Sequence, residues 1–275
     1  MTKMKSNQTI KIPRLKDTFT QEKKGEVFSF CYSYIRSNES RQENETGQDY
    51  LTFSESSSSF SFVLCDGVSQ SFFGELAANI LGDELLVWLN DQPLIMDKKF
   101  LSESLTTFLT QLTEKANSLV QSYVIGADTS AMLEEVLEEK RSMGSESMYI
   151  CGRIDCESED LPQGRMILSG TGDERIRIWN RKAEISRELG IETNIDQRWS
   201  TNRGIVRGEP SFVVKPLLNR KGKIIYKRIL AYTDGFSLLD QETARLSTKK
   251  LDKMINESIL LPENDDLSMI EIMIN

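Results

Sequence analysis

The chain has 275 residues with 34 basic against 42 acidic side chains, a net charge of −8, and no histidine. Without imidazole there is no Ser-His-Asp or Cys-His catalysis, no histidine-bound zinc or haem and no phosphohistidine, so any chemistry runs on carboxylates, hydroxyls, thiols, Lys, Arg or a hard metal ion. The acidic balance argues against a broad nucleic-acid-binding surface, while 39% hydrophobic residues support a folded core of about the largest size that a single domain reaches.

Residues 1–25 carry Lys3, Lys5, Lys11, Arg14, Lys16, Lys23 and Lys24 against Asp17 and Glu22, and read as a mobile basic leader with room for an edge strand around Ile10 to Ile12. Residues 26–275 read as one domain. Val27 to Ile35 is the first clear strand, Ser37 to Gly47 a polar loop, and Tyr50 to Phe53 a candidate strand. Phe60 to Cys65 is a short apolar run that ends on Asp66-Gly67, a buried strand delivering an acid at its tip. Helical spacing then takes over in Ala77, Ile80, Leu81, Leu85, Trp88 and Leu89, and again from Leu105 to Tyr123.

Gly126 to Arg141 predicts a short acidic helix. Strands follow over Ser147 to Ile154, Arg165 to Ser169 and Arg175 to Trp179, the last two joined by Gly170-Thr-Gly-Asp173 as a hairpin. Residues 183–209 are irregular. Ile224 to Thr233 is a strand ending on Asp234-Gly235, Glu242 to Ile255 is helical, and Glu263 to Asp266 leads into a closing strand, Leu267 to Ile274. Strands, then helices, then strands again predict an α+β fold of antiparallel sheets covered by helices.

Cys31, Cys65, Cys151 and Cys156 form no CxxC pair, which argues against a disulfide framework or a thiolate zinc site and suits a reducing cytoplasm. No stretch approaches the ~20 apolar residues that span a bilayer, and no apolar signal core begins the chain, so neither membrane insertion nor export is expected.

Asp49, Asp66, Asp234 and Asp265 all stand at strand ends. If those strands are neighbours, four carboxylates converge on one rim, and a hard divalent cation is the economical way to neutralise them. Two such ions roughly 3.5–4 Å apart can hold a bridging water for phosphoester hydrolysis. Each Asp-Gly taken alone is a turn dipeptide.

Six motifs in order resemble the metal-dependent protein phosphatases of the PPM family, the type 2C serine/threonine phosphatases. They are Gly47-Gln48-Asp49-Tyr50; Phe62 to Val68 around Asp66-Gly67; Met143-Gly144-Ser145-Glu146-Ser147; Gly172-Asp173-Glu174-Arg175 in the place of Gly-Asp-Ser-Arg; Tyr232-Thr-Asp234-Gly235-Phe236; and Asp265-Asp266-Leu-Ser-Met-Ile270. The resemblance spans about residues 45 to 274. It implies a four-layer sandwich, two antiparallel sheets flanked by antiparallel helix pairs, with two manganese or magnesium ions at one end. It also implies that Asp66 bridges the ions, that the Gly67 carbonyl helps hold one, that Asp234 and Asp265 complete a shell, and that Asp49 acts through ordered water. Catalysis would then be attack of a metal-bridging hydroxide on phosphoserine or phosphothreonine. Asp173 is implied to be a structural hairpin residue.

The chain departs from the family pattern where Gly47 replaces Asn and where Asn44 stands near the position of the phosphate-clamping arginine, leaving Arg41 as the substitute. A third metal is not expected, because Arg141 or Ser142, and Leu238, occupy the places of its ligands. Gly170-Thr-Gly172 is a turn rather than a dinucleotide fingerprint, Gly67 to Ser71 is no nucleophile elbow, and Arg198, Arg203 and Arg207 read as a solvated loop. The expected protein is a cytoplasmic, monomeric phosphatase acting on a phosphorylated protein, a cognate Ser/Thr kinase or its targets. The alternative is a weakened pseudophosphatase serving as a binding or regulatory module.

Overall fold

The computed structural model describes residues 8–126, 129–191, 194–261 and 264–275. Strands β1 (Gln8–Lys11), β2 (Thr18–Lys23) and β3 (Phe28–Ile35) precede a one-turn helix α1 (Asn38–Gln42), then β4 (Tyr50–Glu55) and β5 (Ser59–Gly67). Helices α2 (Gly74–Asp91), α3 (Lys98–Gln121) and α4 (Ala131–Met143) lead to β6 (Glu146–Asp155), β7 (Arg165–Thr171) and β8 (Arg175–Trp179). Short strands β9 (Arg198–Ser200) and β10 (Gly204–Val206), then β11 (Ser211–Lys215) and β12 (Arg228–Tyr232), precede a 3₁₀ stretch over Asp234–Gln241, helix α5 (Thr248–Ile259) and β13 (Leu267–Ile274).

All strand pairs are antiparallel and form two sheets, giving the expected α+β class. The eight-stranded sheet runs β1-β4-β5-β6-β7-β11, with β9 beside β6 and β10 beside β9; the five-stranded sheet runs β2-β3-β13-β12-β8. Alternation along the strands decides which sheet face meets what, because successive side chains point to opposite sides. On β5, Phe60, Phe62 and Leu64 join the core between the sheets, whereas Val63 and Cys65 join the core under α2 and α3. On β13, Ile270, Ile272 and Ile274 face the other sheet, and Leu267 and Met269 meet α5.

The helices follow from their apolar stripes. Helix α3 buries Leu101, Leu105, Leu109, Leu112, Ala116 and Val120 at three- and four-residue spacing, and the Asp97 carboxylate caps its start by accepting from the Phe100 amide at 3.0 Å. The end of α2 is held by a buried charge network. Arg153 donates to the Leu89 and Asn90 carbonyls in the last turn of the helix at 2.6 and 2.8 Å, and to Asp155 at 2.7 Å. Asp155 also accepts from Arg165, which is fully buried and donates to the Pro93 and Ile95 carbonyls.

Several expectations need correction. β7 and β8 are not a hairpin: β7 pairs with β6 and β11, β8 pairs with β12, and the turn between them crosses from one sheet to the other. From residue 8 the segment expected as a leader supplies edge strands, β1 on β4 and β2 on β3, while Lys3 and Lys5 lie outside the described residues. Glu263 lies outside them too. The outer face of the five-stranded sheet is covered by α5 and the 3₁₀ stretch, where an antiparallel helix pair was expected. Within the polar loop Ser37 to Gly47 sits α1, β9 and β10 lie in the segment read as irregular, and β12 begins at Arg228 instead of Ile224.

Candidate active site

The alternation that builds the core continues past its last apolar residues. Asp66 is in phase with Phe62 and Leu64, and Asp49 with Leu51 and Phe53, so both are directed between the sheets at one end of the sandwich. From the other sheet, Thr233 is in phase with Ile229 and Ala231, and Ser268 with Ile270 and Ile272. The hydrogen bonds agree with this placement. Thr233 Oγ1 donates to Asp49 Oδ2 at 2.9 Å and accepts from the Ser268 amide at 3.2 Å.

Asp266 fastens the same end. Its carboxylate accepts from the amides of Ser37 at 2.6 Å, Asp49 at 3.0 Å and Gln48 at a shorter separation, tying the closing strand to the loop before β4. Gly47 makes that approach feasible, since a Cβ there would lie 2.4 Å from Tyr34 Oη and 2.5 Å from Asp266 Oδ2. Behind Asp66, Gly67 and Gly74 meet backbone to backbone: a Cβ on Gly67 would stand 2.4 Å from the Gly74 carbonyl carbon. The Gly67 amide donates to the Gln48 carbonyl at 3.2 Å, and Ser147 Oγ donates to the Asp66 carbonyl at 2.8 Å.

The electrostatics show the acids acting on one another. Burial raises the Asp66 carboxyl well above its ordinary range, and Asp234, Asp265, Asp266 and Asp173 push it further. Asp49 is raised well above the ordinary range by burial, then by Asp66 and Asp266. Asp234 is raised by burial, then by Asp265 and Asp173, with Arg175 opposing. Burial is the main upward cause for Asp265 as well, and for Asp266, where the three backbone amides pull the other way.

The chain therefore brings Asp49, Asp66, Asp234 and Asp265 to one end, with Asp265 exposed at the rim and Asp49 only 1% exposed. The residues fit a hard divalent cation in donor chemistry: carboxylates that raise one another are stabilised by a cation between them, and oxygen donors suit magnesium or manganese. Among the described residues, no three such side chains are drawn close enough together to chelate an ion as they stand.

A cleft of about 700 Å³ opens beside this end, lined in part by Gln48, Ser69, Glu75, Lys140, Asp265 and Asp266. Arg41 is not part of its lining; its guanidinium donates to Asn38 Oδ1 and to the Ser37 carbonyl within its own helix. Lys140, on α4, reaches the cleft and donates to the Ser69 carbonyl at 3.3 Å. Arg14 donates to the Glu75 carbonyl at 3.3 Å. Arg141 stacks on Phe72 with its guanidinium carbon 4.9 Å from the ring centre, and Leu238 is exposed.

Sequence reasoning missed Asp266, Lys140 and Arg14, and it treated Asp173 as purely structural although its charge acts on Asp66, Asp234 and Asp265. Glu174 was quoted only as part of a motif. Its phase with Ile176 and Ile178, a signal present in the sequence, directs it between the sheets.

No protein-family model matches the sequence, and no curated protein matches it by sequence. Solved structures do match. A variant of a bacterial serine phosphatase is 15% identical with a TM-score of 0.58, covering 91% of this chain and 100% of that one. The serine/threonine phosphatase Stp1 from Staphylococcus aureus is 13% identical with a TM-score of 0.58, covering 94% and 98%. RsbX in complex with magnesium is 11% identical with a TM-score of 0.50, covering 94% and 100%. At these identities the likeness is one of architecture, and the chain has the fold of the bacterial serine/threonine phosphatases of the PPM type.

Proposed function

We propose that the protein is a metal-dependent phosphatase that hydrolyses phosphoserine or phosphothreonine in a protein substrate. The carrying observation is that Asp49 and Asp66, from one sheet, stand at the same end of this fold as Asp234 and Asp265, from the other, with Asp234 and Asp265 raising the Asp66 carboxyl. The magnesium in RsbX supports a divalent ion here. Asp66, Asp234 and Asp265, with the Gly67 carbonyl, would hold two manganese or magnesium ions, and Asp49 would reach them through water. When bound, such ions neutralise the phosphoryl oxygens and lower the pKa of a water so that it can attack phosphorus.

The remaining work falls to the chain's own residues. Thr233 orients the Asp49 carboxylate, and Asp266 holds the β4 loop against the closing strand. Lys140 places a cation on the cleft wall where an incoming phosphate would pass. The substrate would be a surface segment of a phosphorylated protein, a kinase or its target, presented in the cytoplasm to a monomeric enzyme of one domain.

Manganese-dependent turnover of a phosphopeptide tests this reading. Asp66→Asn and Asp234→Asn should each lower turnover by about 100-fold or more, as loss of an ion's carboxylate ligand does. Unchanged turnover in either variant would remove the proposed centre. The pseudophosphatase reading has one observation in its favour, the engagement of Arg41 within α1, and the same assay on the wild type separates the two: no turnover with manganese bound favours the binding module.

A further inference from the structure

Glu174 stands in the turn that crosses from β7 to β8, where the resembled family has serine. It is 2% exposed, among the described residues neither carboxylate oxygen makes a hydrogen bond of normal geometry, and the adjacent backbone of Asp66 favours its charged form. The space beside it, lined by Tyr149, Thr171 and Ile191, admits no water. An isolated buried carboxylate in such surroundings costs several kcal/mol, so it is neutralised either by a proton or by a cation.

Register shows where a cation would sit. Gly172 is pressed against Met148, whose strand partner is Asp66, and Arg175 pairs with Tyr232, two residues before Asp234. Glu174 lies between these two points, directed between the sheets by its phase with Ile176 and Ile178. The largest charges acting on it belong to Asp66, Asp173 and Asp234, all of its own sign. Among the described residues no cation is bonded to it, whereas the buried Asp155 at the far end has two arginines.

We propose that Glu174 is an additional carboxylate ligand of the divalent centre, approaching from beneath Asp66, so that this chain grips its ion with one more anionic oxygen donor than the resemblance implies. The inference rests on the metal-dependent reading above. It makes the β7–β8 turn part of the ion site, and it makes an ion a requirement for stabilising that end of the sandwich.

Isothermal calorimetry with Mn²⁺ on the wild type, Glu174→Gln and Glu174→Leu tests it, with thermal unfolding in EDTA and in Mn²⁺ alongside. The wild type should take up Mn²⁺, and both variants should bind it about tenfold or more weakly. Their metal-free melting temperatures should equal or exceed that of the wild type, because an unpaired buried carboxylate has been removed, while the rise on adding Mn²⁺ shrinks. Glu174→Leu keeps the test decisive if the glutamine variant folds poorly, since apolar replacement of a buried charge is tolerated well. Mn²⁺ affinity unchanged in a folded variant would overturn the role of Glu174 and leave the metal reading intact. Absence of Mn²⁺ uptake by the wild type would overturn both.

Discussion

Thr233 Oγ1 donates to Asp49 Oδ2 across 2.9 Å, so the residue that follows β12 in one sheet fixes the first acid of the other. The same oxygen accepts from the Ser268 amide, and removing it strands two buried polar groups at once.

Thr233→Val should therefore lower stability by about 1–3 kcal/mol in the metal-free protein, the range for leaving buried partners unmatched, whereas Thr233→Ser should retain most of it. Urea unfolding midpoints in EDTA check this. Equal midpoints for the Val and Ser variants would show that the hydroxyl is dispensable.

Gly47 is required by space more than by backbone freedom. Gly47→Ala should destabilise by about 1–3 kcal/mol, as forced overpacking does, because the new methyl would press on Tyr34 Oη and Asp266 Oδ2. Combined with Asp266→Ala, the cost should fall well short of the sum of the single changes, since the second change clears the space that the first invades. A double-mutant cycle measured by chemical denaturation reads the coupling directly, and additive costs would contradict the contact.

Stability should also depend on pH in a direction opposite to that of a salt-bridged acid. The Asp66 carboxyl is raised above its unfolded value of 3.8, so the folded chain binds this proton more tightly than the unfolded one. Its contribution is whole below the unfolded value and is lost as pH rises through the folded value. In EDTA, Asp66→Asn should therefore be more stable than the wild type at pH 8, with the gap closing toward pH 4. Adding Mn²⁺ should stabilise the wild type, by about 2.7 kcal/mol at a hundredfold excess over Kd, and the variant far less. A gap that widens on acidification would show that Asp66 is held in its charged form by the chain itself.

Much of this end of the molecule was legible from strand phase. Phe62, Leu64 and Asp66 alternate as one series, and the acid inherits the direction of the apolar residues before it. The Asp265-Asp266 doublet was not legible in the same way. Which acid turns inward is decided by the amides of Ser37, Gln48 and Asp49, more than 200 positions earlier in the chain, and no local pattern encodes that. Gly170 to Asp173 reads as a tight turn in either case, but β8 finds its partner in β12, so partner choice overrode proximity in sequence. The basic N-terminal residues misled for a related reason. Lysines that suggest a solvated tail also suit edge strands, where charge discourages pairing with another chain.

Helix α2 is clamped at both extremities. Its first residue, Gly74, lies against Gly67, with the Ala77 amide donating to Ser145 Oγ at 3.0 Å, and its final carbonyls are pinned by Arg153. Eighteen residues make it a strut of roughly 27 Å, braced between the charged rivet at Asp155 and the acid rim. Slackening that rivet should reach Asp66 through the close backbone contact of Gly74 with Gly67 at the helix's other end.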